Sequence, residues 1–406
     1  MPENLGNSIG LDAVQENLRK LVMAHYVEHC LTPEPGLASP TEEDAPARKR
    51  GAAKRKLDVS EPQVDCNAAE DQVVLCRAKF EEFIRRLRHK FGAQGVGINY
   101  GLLGNNLPPP DTVIRLLNSK NIKTVRIFEP DPNVLRALGN SGIEVVLGTL
   151  NEDLQQLAEN PAFATQWVNT NVIPYVPAVK IRYISAGNEV ILGPLAQFVA
   201  GAIQNLDIAL KASNVSVPVS TAIQFDAIGQ SFPPSSGAFK NDAVGAITPV
   251  VAFLVSKQYP ILANVYPYFA YASDTVNIRL DYALGTASGP VVTDGPLLYS
   301  NLFDAMVDAL YAALEKVGGP GLRIVVSETG WPSAGNGDVA VVPNTQVYVN
   351  NVLAHVKSAV GTPKRPGIPI ETHIFALFNE NLKPAGVEQN FGLYYPNMTE
   401  VYAVTF

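Results

Sequence analysis

The strongest constraint on the fold is a series of eight short apolar segments that alternate with helix-like patterns from Val96 onward. Their length and β-branched content are typical of strands that are buried on both faces of a parallel sheet. The predicted strands are Val96–Tyr100, Thr124–Phe128, Glu144–Leu150, Arg182–Ser185, Val217–Ile223, Leu262–Tyr266, Arg323–Ser327 and Thr372–Phe378. The predicted helices are Thr112–Ser119, Asn133–Gly139, Phe163–Val172, Leu195–Ala212, Leu302–Val317 and Asn344–Val360.

Strand count and chain length together predict the fold class. Eight strands that alternate with helices over about 310 residues fit an α/β fold of the (β/α)8 type, a TIM barrel. An open doubly wound sheet is the alternative. It is disfavoured because the segment Asn99–Gly104, where the first predicted strand ends, lacks the glycine spacing of a phosphate-binding turn.

Composition divides the chain near residue 93. The first 94 residues carry 14 of the 31 Lys and Arg residues and 15 of the 38 Asp and Glu residues, whereas the remainder is poor in charge. Cys30, Cys66 and Cys76 all lie in this first part, so the remainder holds neither a disulfide framework nor a cysteine metal site. We therefore predict a charged N-terminal extension over residues 1–92 and a barrel domain over residues 93–406.

The N-terminal extension is predicted to be partly helical and partly disordered. Apolar residues recur at helical spacing in Leu11–Cys30 and in Asp71–Phe91. The linker between them, Thr32–Gln63, is rich in Pro, Ala and charge, which is typical of disorder. Basic residues at 48–50 and 54–56 fit either a nuclear-targeting or polyanion-binding patch or a solvated charge run, and we favour the charge run.

The bulk properties exclude several functional classes. A net charge of −7 argues against a nucleic-acid-binding role for the whole chain, and we expect no nucleic-acid partner for the barrel domain. No apolar run reaches about 18 residues, so we expect no membrane span. His25 and His29 are four residues apart, but they lack a third spaced ligand and do not predict a metal site. We expect no cofactor.

Two segments that are 139 residues apart each place a glutamate at the end of a predicted strand. Glu189 follows the fourth strand in Ser185–Val190, and Glu328 ends the seventh in Ser327–Pro332. A carboxylate is costly at the mouth of a buried strand, and barrels place their chemistry at the C-terminal ends of strands. Glycoside hydrolysis characteristically needs two carboxyls, one protonated to donate and one ionised to attack or to activate water.

Other polar and aromatic side chains are predicted to converge on the same rim. Tyr100, Tyr266 and Glu380 each lie at or just past the end of another predicted strand. Asn188 precedes Glu189, where its amide can hydrogen-bond the 2-hydroxyl of a sugar. Trp331 and Tyr100 offer flat apolar faces, which suit the C–H faces of glucose rings.

Six segments carry a close resemblance to a known family. They are Val96–Gly101, Gly104–Pro110, Gly187–Glu189, Asn264–Phe269, Ser327–Ser333 and Phe391–Asn397. Taken in order, they resemble the plant members of glycoside hydrolase family 17, the β-1,3-glucanases, over residues 94–406. Asn99 departs from the pattern, because many members have a cysteine there. The resemblance implies a barrel that hydrolyses β-1,3-glucan internally, with retention of configuration.

The resemblance also assigns roles to individual residues. It implies Glu189 as the proton donor and Glu328 as the nucleophile. Supporting roles near the site fall on Glu380, Lys383 and Glu388, and aromatic contacts along the sugar groove on Tyr100, Tyr266 and Phe378. A structural ion pair at the barrel rim is an equally open interpretation of Glu380 and Lys383.

The leading hypothesis is therefore endo-hydrolysis of β-1,3-glucan, either callose or fungal wall glucan, with plant defence as the implied setting. The alternatives are hydrolysis of mixed-linkage β-1,3;1,4-glucan and, from another class, a non-catalytic β-glucan-binding protein. We expect a monomer whose partner is a polysaccharide. No signal peptide is visible at Met1, yet the resemblance implies an extracellular, cell-wall or vacuolar protein, and we predict an extracellular one.

Overall fold

The computed structural model of the protein describes residues 95–406. The predictions for the helical segments, the linker, the basic residues and the histidine pair of the N-terminal extension lie outside the described residues. The boundary near residue 93 therefore stays a prediction.

Eight parallel strands form a closed barrel, as the sequence predicts. They are β1 (Val96–Asn99), β2 (Thr124–Ile127), β3 (Glu144–Gly148), β4 (Lys180–Asn188), β5 (Val219–Gln224), β6 (Ile261–Asn264), β7 (Ile324–Thr329) and β8 (Thr372–Ile374). Each strand pairs with the next along the chain, and β8 closes the barrel against β1, with Val96 opposite Thr372. The carboxyl ends of all eight strands consequently share one rim.

Helices connect the strands and cover the outside of the barrel. They are α1 (Pro110–Ser119), α2 (Pro132–Leu138), α3 (Leu154–Glu159), α4 (Pro161–Asn171), α5 (Ala196–Ala212), α6 (Asn241–Lys257), α7 (Pro267–Ser273), α8 (Leu280–Leu284), α9 (Leu302–Lys316) and α10 (Val342–Ser358). Several begin with ordinary start signals. Asp131 accepts hydrogen bonds from the backbone N–H groups of residues 133 and 134, and a proline occupies the first turn of α2.

The long helix α6 is the main element that the sequence pattern does not predict. It contains Gly245 and, in its interior, Pro249, two residues that normally weaken or interrupt a helix. Its buried face, which includes Ile247, Val250 and Leu254, compensates by packing into the core. Among residues 95–406 no helix is long and apolar enough to cross a membrane.

Strand alternation separates two buried regions. The outward side chains of the strands join the helices in one large core, in which Val145 and Leu147 of β3 have no exposed surface. The intervening inward side chains form a smaller cluster with one member from each of β3 to β7. Its members are Val146, Tyr183, Ala222, Leu262 and Val325. The interior of the barrel is thus filled with side chains, as is usual for this fold, and does not form a pore.

A network of charged side chains closes the amino-terminal end of the barrel. Arg182 donates two hydrogen bonds to Glu371, at 2.7 and 2.8 Å, and one to Glu144 at 2.8 Å. The hydroxyl of Tyr183 donates to Glu371 at 3.0 Å and accepts from Arg323 at 2.9 Å. Burial alone would raise the pKa of Glu371, but Arg182 and Arg323 outweigh that effect and hold the pKa at about 2.

We predict that Glu371 makes stability depend on pH in the acid range. Its pKa in the folded state is about 2 against an ordinary value of 4.5, so its contribution is fully present above about pH 4.5 and is lost as pH falls toward 2. The contribution is about 3 kcal/mol. Glu371→Gln should therefore lower the free energy of unfolding at neutral pH by about this amount and flatten its pH dependence below pH 4.5, as measured by denaturant unfolding.

The matched control is Glu400→Gln. Glu400 pairs with Lys120 at 2.8 Å, but both side chains are more than a third exposed, so the change should cost less than about 1 kcal/mol. An unchanged acid-range slope in Glu371→Gln would contradict the assignment.

Candidate active site

Two β-bulges aim the predicted glutamates into the carboxyl end of the barrel. In β7 two residue steps, from Val326 to Glu328, match one step on β6, from Ala263 to Asn264. Val326 packs outward in the core, and strict alternation would turn Glu328 the same way. The extra residue rotates Glu328 inward instead, which is a recognised use of a bulge.

A second bulge lies at the end of β4. Three steps from Ser185 to Asn188 match two steps from Ser220 to Ala222 on β5. Gly187 supplies a positive φ of 75° there, and Glu189 follows with a φ of 58°. Both glutamates thus lie beside irregular backbone, where side chains can be directed into a cleft.

Both carboxylate oxygens of Glu328 are held by hydrogen bonds. Nη1 of Arg126, which projects from β2, donates to Oε1 at 2.6 Å, and the hydroxyl of Tyr266 donates to Oε2 at 2.7 Å. Arg126 and Glu328 are 1% and 5% exposed. Such a buried ion pair is strongly oriented, because either charge alone would be costly at this depth.

Asn264 connects the two glutamates. Its amide nitrogen donates to Oε1 of Glu189 at 2.8 Å and to the side-chain oxygen of Asn188 at 3.1 Å. Its own oxygen accepts from the hydroxyl of Ser327 at 2.7 Å. Arg126 donates to the same oxygen of Asn188 at 2.8 Å. One continuous network therefore runs from Glu189 to Glu328.

The two glutamates open into one cleft with a volume of about 590 Å³. Aromatic side chains form much of its wall, and the carboxylates of Asp226 and Glu388 add negative charge. The lining residues are Glu189, Gln224, Phe225, Asp226, Asn264, Tyr266, Phe269, Ala270, Ser273, Met306, Glu328, Phe375, Glu388 and Phe391. A concave apolar site with a few convergent polar groups is typical of ligand binding.

The environment of Glu189 favours its protonated form. Although Glu189 is open to the cleft, the surrounding protein desolvates its carboxyl and raises the pKa, and the negative charge of Glu328 adds to this effect. The hydrogen bond from Asn264 and the charge of Arg126 oppose the rise without cancelling it. Burial and the charge of Glu328 also raise the pKa of Tyr266 well above its usual value, so its hydroxyl remains a donor.

The structure places several predicted groove residues in the packing beneath the rim. Trp331 has no exposed surface. Its indole N–H donates to the carbonyl of Val339 at 2.9 Å, and its ring packs against Tyr268 at 5.2 Å. Tyr100 and Phe378 are 1% and 2% exposed and meet edge to face at 6.3 Å. Of the predicted aromatic residues, Tyr266 is the one that lines the cleft.

The charged residues of the C-terminal loop separate into two groups. Glu380 accepts a hydrogen bond from the backbone N–H of Leu103 at 2.7 Å and pairs with Lys383 at 3.4 Å, so it fastens two rim loops together. The ammonium of Lys383 lies 4.1 Å from the ring centre of Phe375. Glu388 instead lines the cleft, and its charge contributes to the raised pKa of Glu189.

Arg126 is the main site residue that the sequence argument missed. The signal was present, because Arg126 is a charged residue inside the apolar strand Thr124–Ile127. The cost of burying a charge, which drew attention to the glutamates, applies equally to this arginine. Asn264 also went unassigned, although it ends β6 and stands at the start of one of the family-like segments.

The arrangement suits cleavage of a glycosidic bond. A carboxylate ion-paired to arginine shares a cleft with a carboxyl whose pKa is raised, which is the division of roles that acid and nucleophile require. A (β/α)8 barrel with such a pair at the carboxyl ends of its strands has the design of a glycoside hydrolase.

Comparison with known proteins agrees with this class. Residues 96–406 match the model of glycosyl hydrolases family 17. The chain is 53% identical over 317 residues to a putative glucan endo-1,3-beta-glucosidase, GVI, of Hordeum vulgare, covering 78% of this chain and 98% of that protein. It is 48% identical to a glucan endo-1,3-beta-glucosidase of Vitis vinifera, covering 78% and 92% of the two chains. The solved structure of CJP38, a β-1,3-glucanase and allergen of Cryptomeria japonica pollen, superposes with a TM-score of 0.74 at 48% identity, covering 77% and 99%.

The chain therefore belongs to glycoside hydrolase family 17 and is a glycoside hydrolase.

We predict that Glu328→Gln lowers the pKa of Glu189. The substitution removes the negative charge that raises this pKa and leaves the positive charge of Arg126, which lowers it. A 13C NMR titration of protein labelled at the glutamate side-chain carboxyls measures the change, with the Glu189 signal assigned by its loss in Glu189→Gln. A pKa that stays constant or rises in Glu328→Gln would show that the two carboxyls are not electrostatically coupled.

Proposed function

We propose that this protein cleaves internal bonds of β-1,3-glucan with retention of configuration, using Glu189 as acid and base and Glu328 as nucleophile. The observation that carries the proposal is that both carboxyls open into one cleft in opposite electrostatic settings. The substrate class is supported by family membership and by the relatives from Hordeum vulgare and Vitis vinifera, which are named for β-1,3-glucan.

In the first half of the reaction Glu189 gives its proton to the glycosidic oxygen. An oxygen of Glu328 attacks the anomeric carbon from the opposite face, the bond to the leaving chain breaks, and a glycosyl ester forms on Glu328. Arg126 and Tyr266 orient the attacking carboxylate, because each holds one of its oxygens. The attacking atom is therefore positioned before the substrate arrives.

In the second half Glu189 acts as the base. Once Glu328 is esterified, its negative charge no longer raises the pKa of Glu189, so the ionised form that the first step left behind is favoured. Glu189 takes a proton from water, the water oxygen bonds to the anomeric carbon, and the ester to Glu328 breaks. The released sugar has its original configuration.

Substrate contacts are proposed for side chains in the cleft wall and for Asn188, which lies directly before Glu189. The oxygen of Asn188 is occupied by Arg126 and Asn264, which leaves its amide nitrogen for the 2-hydroxyl of the sugar. Tyr266 and Glu388 form part of the wall. We propose that the buried Tyr100, Trp331, Phe378 and Glu380, together with the half-buried Lys383, support the rim from beneath.

Substitution of either glutamate should abolish most of the activity. Glu328→Gln removes the nucleophile, and Glu189→Gln removes the acid and base. Glu328→Gln should lower kcat on laminarin by about 10³-fold or more, since no glycosyl ester can form. Glu189→Gln should lower it by roughly 10² to 10⁴-fold. Reducing-sugar release measures both, and product lengths from laminarin and from mixed-linkage β-1,3;1,4-glucan separate the two substrate hypotheses.

Glu159→Gln on α3 is the matched control, because Glu159 is exposed and should leave kcat within experimental error. Full activity in Glu328→Gln would remove the proposed nucleophile. An inverted anomer as the first product, detected by 1H NMR, would exclude the retaining mechanism.

Phe269 offers a test of substrate binding. It lines the cleft and is 44% exposed, so part of its side chain is available to a sugar ring. Phe269→Ala should raise KM for laminarin roughly 2- to 10-fold with a smaller change in kcat. Phe253→Ala is the comparison, since Phe253 lies on α6, packs against Tyr259 and is not part of the cleft lining. Equal KM values for the two variants would remove Phe269 from the binding surface.

We also propose that the enzyme acts as an extracellular monomer. Light scattering measures its mass in solution, and a fluorescent fusion of the full chain locates it in plant cells. A dimer in solution, or fluorescence retained in the nucleus or cytosol, would contradict these two expectations.

A further inference from the structure

The loop that follows β3 holds the backbone directly before Glu189. The side-chain oxygen of Asn151 accepts a hydrogen bond from the backbone N–H of Asn188 at 2.8 Å, and its amide nitrogen donates to the carbonyl of Asn188 at 3.1 Å. A single side chain thus binds both polar backbone groups of the residue that precedes the proposed acid. Thr149 adds a third bond, because its hydroxyl oxygen accepts from the N–H of Gly187 at 3.0 Å.

These hydrogen bonds hold a segment whose backbone conformation is intrinsically unfavourable. Gly187 has a φ of 75° and Glu189 a φ of 58°, and the left-handed region is unfavourable for a residue such as glutamate. The N–H of Glu189 donates to the carbonyl of Ala222 at 2.9 Å, which fixes the side of the turn that faces β5. Asn151 fixes the other side. Together the two attachments determine where the side chain of Glu189 leaves the backbone.

The chemistry of the contact requires an amide. An asparagine side chain offers a donor and an acceptor at the same reach, whereas aspartate offers acceptors alone and alanine offers neither. Asn151 is half-buried and is not part of the cleft lining of Glu189, Glu328 and their neighbours. Its influence on the reaction must therefore pass through the backbone of Asn188.

We infer that Asn151 is a positioning residue, which holds the Asn188–Glu189 backbone so that the carboxyl of Glu189 meets the glycosidic oxygen. The inference rests on the proposed role of Glu189 as acid and base. Displacement of a catalytic group by about 1 Å can cost about 10²-fold in rate. Loss of the Asn151 contacts should accordingly weaken proton transfer while leaving the Glu328 nucleophile and its partners in place.

The test compares two substrates that differ in their need for an acid. Laminarin has a sugar leaving group that must be protonated, whereas 2,4-dinitrophenyl β-laminaribioside has a leaving group that departs without a proton. For Asn151→Ala we expect kcat/KM to fall about 10²-fold on laminarin and less than about 3-fold on the dinitrophenyl glycoside.

Azide tests the base function of Glu189 in the same variant. Turnover of the dinitrophenyl glycoside still requires a base for water in the second step, so kcat should fall. Azide needs no base, and its nitrogen bonds to the anomeric carbon as the ester to Glu328 breaks. We expect added azide to restore kcat and to yield a β-glycosyl azide.

Asn151→Asp keeps the acceptor for the N–H of Asn188 and should give an intermediate loss on laminarin.

Two controls separate the possible outcomes. Asn205→Ala removes a comparable amide that donates to the carbonyls of Leu157 and Ala158, each at 2.9 Å. This variant should not lower activity on one substrate more than on the other. Glu189→Ala should reproduce the leaving-group dependence in stronger form. If Glu189→Ala lacks that dependence, the proposed acid is wrong. If it shows the dependence and both Asn151 variants lose activity equally on the two substrates, or lose none, the positioning role is overturned.

Discussion

The site is organised around the buried ion pair between Arg126 and Glu328, at 2.6 Å. A carboxylate with so little exposed surface is stable only with a matched cation and further hydrogen bonds, which Arg126 and Tyr266 supply. The same guanidinium also binds the side chain of Asn188, next to Glu189. Strands β2, β4 and β7 are therefore tied together beside the cleft that both glutamates line, and the geometry of the cleft depends on that connection.

The two ends of the barrel use glutamates in opposite ways. At the amino-terminal end Glu371 is surrounded by arginines that hold its pKa at about 2, so it contributes to stability. At the carboxyl-terminal end desolvation and a neighbouring negative charge raise the pKa of Glu189. The first environment stabilises an ion, and the second favours a proton that can be given away. A barrel fold commonly separates stability from chemistry in this manner.

The sequence predicts the barrel well because its strands are continuous apolar runs with little ambiguity, and Glu189 and Glu328 stand out as charges at their ends. It does not reveal the bulges. Strict alternation from the outward-packed Val326 would turn Glu328 away from the cleft, whereas the bulge turns it inward. Helix α6 was hidden by Pro249, which tertiary packing tolerates. Trp331 is a residue type that suits a sugar, yet its ring is fully buried against Tyr268, and a pattern of residue types does not record which side chains of a loop are covered.

In the proposed mechanism Glu328 forms a covalent bond to the sugar, while Glu189 donates and accepts the protons. Incubation with the 2,4-dinitrophenyl glycoside of 2-deoxy-2-fluoro-laminaribiose, which slows release of the ester, followed by peptide mass spectrometry, tests this directly. We expect one glycosyl group per chain, attached to the peptide that contains Glu328. A label on any other residue, or rapid turnover with inversion and no label, would contradict it.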